Sequence, residues 1–128
     1  MASKVFKNIT CVRASALAQM EVLSIITGNV ISHWSNMSEP VDDPAETFLL
    51  PFVLGLPFVH KQKLVDLLMS DLTDKEGVYV DIESFNGDMM EWHRLMAQVL
   101  YWNLNDFFTY IDSAHRSDLA KLKDKAAQ

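Results

Sequence analysis

MMEWHRLMAQVLYWNLNDFFTYI, residues Met89–Ile111, decides how this chain must be organised. The stretch has 23 residues, no Gly or Pro, and only Glu91, Arg94 and Asp106 as formal charges. As one continuous helix it would run roughly 35 Å. Its apolar residues divide between two faces. Trp92, Leu95, Met96, Val99 and Trp102 form one, and Leu100, Leu104, Phe107, Phe108 and Ile111 form the other. A helix that is apolar on two faces must be covered on two faces, by its own domain or by a partner. A chain of 128 residues has little protein of its own for both tasks. The expectation is therefore association, with no chemistry implied.

Composition narrows the class. At 128 residues the chain is one domain, 1–128, with a core of ordinary size. It is 49% apolar and 22% charged, which excludes a disordered chain. A mean hydropathy of +0.04 is high for a globular chain and again suggests a buried contact surface. The net charge of −6 argues against a duplex-binding surface, because neutralising phosphates needs clustered Lys and Arg. The seventeen acidic residues are too scattered for a mimic of DNA. A lone Cys11 excludes an intramolecular disulfide and fits a reducing cytoplasm. The N-terminus lacks a signal-type apolar run, and the apolar stretches Val22–Met37 and Thr47–Val59 are interrupted by polar residues, Gly or Pro. Neither reaches the ~18 residues of a membrane span. The reading is an intracellular protein in solution, with no nucleic-acid or membrane partner.

Outward from Met89–Ile111, the pattern is mainly α, a small single domain of about four helices with one short β-hairpin or an extended arm. Residues 1–13 form that arm, where Val5–Val12 alternates weakly. From Ala14 the apolar residues Leu17, Met20, Val22, Leu23, Ile26, Val30 and Ile31 recur at helical steps, with Ser15 as a cap and Gly28 as a weak point. Ser35–Pro44 reads as a loop. Pro44 then opens a second helix towards Leu54, with Asp43 as its cap and Pro51 near its start or at a bend. A third helix is expected over Phe58–Leu72. Val78–Ile82, VYVDI, alternates like a strand. Gly87 or Asp88 starts the long helix, and residues 112–128 form a polar tail that frays.

Few residues propose chemistry. His33, His60, His93 and His115 are dispersed, and the Asp112–His115 pair at i, i+3 is far more often a solvated surface pair than a metal site. Glu91 and His93, two apart, diverge on a helix. No phosphate loop, nucleophile elbow or Cys/His pair has the needed spacing, and Cys11 reads as a small buried hydrophobe. No catalytic, cofactor-binding or metal-ligating residue is assigned. Asn103, between Trp102 and Leu104, has two readings. Either it faces a solvent gap or bonds to a neighbouring loop, or it fixes helix register at a contact as buried Asn does in coiled coils. Met20, Met69, Met89, Met90 and Met96 fall in helical segments as core fillers, although Met-rich surfaces also suit adaptable grooves.

FNGDMMEWHRLMAQVLYWNLNDFF, Phe85–Phe108, resembles the C-terminal helix of the tail assembly chaperones of long-tailed bacteriophages. The likeness rests on Phe85 and Gly87 leading into a long helix, then on Asn103, Phe107 and Phe108. Leu104 departs from it, standing where many relatives carry an aromatic residue. A Leu-rich middle over Lys63–Leu72 and the VYVDI segment also fit, so the resemblance extends over about Ala14–Ile111. It implies a helical, non-enzymatic, self-associating protein of the host cytoplasm, absent from the mature virion. Such a protein keeps the tape measure protein soluble until tail tube polymerisation, and a frameshifted longer form would reach the tail tube protein. The residues expected to bind protein are Trp92, Met96, Val99, Trp102, Asn103, Phe107 and Phe108. The alternatives are a phage- or plasmid-encoded inhibitor of a host protein and a small helical enzyme.

Overall fold

A computed structural model describes residues 2–35 and 43–127. Two short strands, β1 (Ser3–Phe6) and β2 (Ile9–Val12), open the chain as an antiparallel hairpin. Its register pairs Lys4 with Cys11 and Phe6 with Ile9, and the two-residue turn puts Lys7 in the left-handed region at φ 55°. A two-residue strand, β3 (Leu72–Thr73), joins the far side of β2 to give the order β1-β2-β3. The expected arm is thus the hairpin, laid against the helical body.

Helix α1 (Ala16–Ser35) begins where the Ser15 hydroxyl accepts from the Ala18 N–H at 3.2 Å, as the capping signal required. Val22, Ile26, Val30 and Trp34 repeat every four residues and all face inward. The loop expected over Ser35–Pro44 falls mostly outside the described residues. From Pro44 the chain enters a π-helical turn, Ala45–Leu49, and then the short α2 (Leu50–Leu54). The Leu50 N–H bonds the Ala45 carbonyl, five residues back, just before Pro51. A proline has no N–H and its ring crowds the carbonyl four residues earlier, so one widened turn accommodates the bend expected there. Asp43 starts this segment with its backbone carbonyl, which accepts from the Glu46 and Thr47 N–H groups, and no side-chain cap forms.

Helix α3 spans Phe58–Leu68, ending before the expected Leu72, which has passed into β3. Val78–Ile82 does not become the expected strand. Its alternation yields one isolated bridge, Tyr79 to Thr73, because the Asp81 side chain accepts from the Glu83 N–H and turns the chain into a 3-10 helix at Ile82–Phe85.

The largest correction concerns Met89–Ile111. The segment is not one helix. It forms α4 (Met89–Asn103) and α5 (Asn105–Ala127), parted at Leu104, whose φ and ψ are −115° and 32°. Neither Gly nor Pro is responsible. The Asn103 side chain reaches back to the Val99 carbonyl at 3.0 Å and accepts from the Ala14 N–H at 2.9 Å. Arg13 takes the Trp102 carbonyl at 3.5 Å, a group that a continuous helix would use internally. Beyond Ile111 the polar tail continues as helix, pinned by buried Ile111 and His115 and by the Arg116–Asp112 pair at 2.8 Å.

Candidate protein-binding surfaces

The break at Leu104 settles how two apolar faces are covered in so short a chain. On α4, Trp92, Leu95, Met96 and Val99 pack inward, chiefly against the π-helical turn, α2 and α3. After the break, α5 presents Phe108 and Ile111 to the same core, where Phe108 stacks on Trp34 and Tyr101 with ring centroids 5.8 and 5.6 Å apart. The domain covers both faces itself.

That places the residues expected to bind protein. Trp92, Met96, Val99 and Phe108 are 2%, 2%, 0% and 1% exposed, and Asn103 is 5% exposed. In this conformation they form core and offer no surface to a partner. The expectation rests on one continuous helix with more apolar surface than the domain could cover, and the break at Leu104 instead turns both faces inward. Trp102 and Phe107 are half-buried. Even Trp102 is largely covered, by the Arg13 guanidinium 4.6 Å from its ring and by the edge of Phe6 at 6.0 Å. Asn103 follows the first of its two readings, bonding the neighbouring connection at Ala14.

Exposed apolar surface lies elsewhere. An open groove of about 440 Å³ runs between α1 and the π-helical turn with α2. Phe48 and Phe52, stacked 6.1 Å apart, wall it, with Leu56 beside them, and His33 and Asn29 form its α1 edge. Just past the groove, Phe58 and Val59 at the start of α3 are both strongly exposed. Leu17, Met20 and Ile31 are exposed on α1. The groove was not singled out from sequence, where Leu17 and Ile31 looked like core because their spacing is helical and Met20 looked like a core filler. The signal that separates them is the i, i+4 run Val22, Ile26, Val30, Trp34, which already accounts for the inward face.

Several polar side chains are occupied with structure. Lys7 at the hairpin turn donates to Glu91 at 2.8 Å, and Arg94 pairs with Glu46 at 3.1 Å, fastening hairpin and π-helical turn to α4. The hydrogen bond from Lys7 chiefly holds the Glu91 carboxyl below its usual range; burial opposes it, and the Lys7 charge with the hydrogen bond and charge of Arg94 add to the lowering. The Lys61 ammonium donates a hydrogen bond to the His93 Nε2 at 3.1 Å, and the His93 Nδ1 lies 2.7 Å from the Met89 carbonyl. Cys11 is buried beneath the sheet with its Sγ 3.7 Å from the Leu68 carbonyl. Burial, then the nearby Asp71 carboxylate, pushes its thiol up to about 11, the opposite of what activates a nucleophile. Asp112 pairs with Arg116, and no group of three potential metal ligands gathers among the described residues. No helix among them is long and apolar enough to cross a membrane. The arrangement can bind apolar side chains in a groove and on a helix face. Comparison with protein-family models, curated proteins and solved structures finds no match for this chain.

Proposed function

We infer that this chain is a non-enzymatic chaperone of phage tail assembly, which binds the long helical tape measure protein in the host cytoplasm and holds it until tail tube subunits polymerise around it. One observation carries this reading. The domain buries most of the apolar surface of its own aromatic-rich helix, yet leaves an open groove walled by Phe48 and Phe52 on its outside. A groove of this kind takes the apolar stripe of an amphipathic helix, side chain by side chain. The resemblance at Phe85–Phe108 supplies the identity of the client. The residues conferring it, Asn103, Phe107 and Phe108, build the junction of α4 and α5 and so serve the fold that presents the groove. Client contact passes to half-buried Phe52 and exposed Phe58, over a groove floor set by buried Phe48 and Leu56. Several copies along one extended client would multiply weak single contacts, and a net charge of −6 keeps the loaded complex dispersed.

The test is co-expression with the tape measure protein of the same genome. Soluble tape measure protein should rise with the wild-type chain and fall back with Phe52→Glu, at a half-buried groove position, in a variant whose circular dichroism and urea midpoint match wild type. A tape measure protein equally soluble with and without the chain overturns the reading. Copurification of one host enzyme in its place would turn it towards an inhibitor.

A further inference from the structure

The turn that leads into α4 carries a chemical weakness. Phe85 to Asp88 make a type II turn. Asn86 has φ −56° and ψ 124°, Gly87 has φ 82°, and the Asp88 N–H bonds the Phe85 carbonyl at 2.7 Å. The third position of such a turn needs a positive φ, so the geometry calls for glycine there. An asparagine just before that glycine sets a side-chain amide next to the least shielded peptide nitrogen a chain can offer. Of the six asparagines only Asn86 precedes a glycine; the residues after the others are Ile9, Val30, Met37, Leu104 and Asp106.

The fold does not shield the pair. Asn86, Gly87 and Asp88 are all exposed, a Cβ built on Gly87 meets nothing within 4 Å, and the Asn86 amide makes no hydrogen bond among the described residues. Asn103 is the contrast, buried and with its amide tied at both ends. What delays reaction at Asn86 is the shape of the turn. At ψ 124° the Gly87 nitrogen points away from the Asn86 Cγ. Bringing them together takes a rotation of roughly 120° about the Cα–C bond, into a disfavoured part of the backbone map. The turn is closed by the Asp88–Phe85 bond and flanked by the bond from the Asn86 N–H to the Glu83 carbonyl at 3.2 Å. Opening it breaks these two backbone bonds at an exposed site, an event far more frequent than global unfolding.

We propose that Asn86 is a site of spontaneous deamidation, which marks the age of each molecule at the entrance to α4. The Gly87 nitrogen attacks the Asn86 Cγ, the C–N bond of the side-chain amide breaks, and ammonia leaves with the proton that Gly87 gives up. Water then opens the five-membered imide at either of its carbonyls. One opening leaves aspartate at this position. The other leaves isoaspartate, in which the main chain runs through Cβ and is one methylene longer. Both add a negative charge beside Glu83 and Asp88, and isoaspartate also shifts the register of the bond between Asp88 and Phe85. No oxidant, reductant or enzyme takes part, and the inference stands whether or not the chain has a client.

The test follows the full chain in mildly alkaline buffer, with tryptic peptide Glu76–Arg94 read by mass spectrometry. That peptide should gain the mass difference between an amide and an acid and separate into two products of equal mass. The peptides carrying Asn8 and Asn29 should convert at least tenfold more slowly. In guanidinium chloride the Asn86 peptide should convert roughly tenfold faster than in the folded chain, because the turn no longer restrains ψ. Asn86→Gln, at the same exposed position, should abolish the change, since its longer side chain would have to close a six-membered ring. Asn86 still intact in the folded chain after the unfolded chain has converted, or conversion spread evenly over the asparagines, overturns the site. So does a mass gain in Glu76–Arg94 that persists in Asn86→Gln.

Discussion

Replacing Asn103 with alanine strikes the point on which the two C-terminal helices turn. The amide is buried and makes two hydrogen bonds, accepting from the Ala14 N–H at 2.9 Å and donating to the Val99 carbonyl at 3.0 Å. Each bond is worth about 1 kcal/mol net, and stranding the Ala14 N–H in a half-buried place adds about 1 kcal/mol more. The expected loss is about 3 kcal/mol. In urea, with a slope of about 2 kcal/mol/M for a domain of this size, the midpoint falls by roughly 1.5 M. Amide exchange supplies the local readout: protection at Ala14 should disappear in the variant while α4 amides such as Leu100 keep theirs. A midpoint within about 0.3 M of wild type, together with an Ala14 amide that still exchanges slowly, would refute the claim that this side chain holds the junction.

Gly28→Ala should stabilise the monomer by about 1 kcal/mol, because the position is mid-helix and open to a methyl group; thermal melts in dilute solution check this. Phe108→Ala should cost about 3–5 kcal/mol, as it removes a ring packed between Trp34 and Tyr101. Phe107→Ala, at a half-buried position, should cost less than half as much, and equal losses in denaturant titrations would contradict the assignment. Cys11 should react with a thiol reagent at pH 8 only as fast as the protein opens. Its thiol is raised from 9.0 to about 11 in the fold, so its contribution to stability is intact below pH 9 and is lost as the pH rises towards 11; titration of the unfolding midpoint against Cys11→Ser would show it.

Much of the helical layout was legible from local pattern. Ser15 capped α1 as its type and place required, Phe58 opened α3, and the weak alternation of Val5–Val12 marked the hairpin. What escaped was set at a distance. Nothing between Met89 and Ile111 announces a break, because the groups that make it, Arg13 and the Ala14 N–H, lie 89 residues upstream. VYVDI alternates like a strand, but Asp81 had a nearer partner in the Glu83 N–H. The site was less legible than the fold. On α1 apolar residues occur nearly all round, so periodicity shows a helix without saying which face is inside. On Met89–Ile111 the count of apolar residues was read correctly, but their destination depended on the turn at Leu104.

The clasp between the first residues and the last third of the chain also sets a clock. Lys7 waits for Glu91, Arg13 for Trp102 and Ala14 for Asn103, separations of 84 to 89 residues. At a synthesis rate of about 5–20 residues per second, the hairpin emerges roughly 5–20 s before its partners exist. During that interval the hairpin and Trp34 lack the cover that α4 and α5 give them, Phe108 on Trp34 above all. The chain therefore spends its first seconds with part of its core open, and its yield in a cell should depend on how quickly Asn103 arrives.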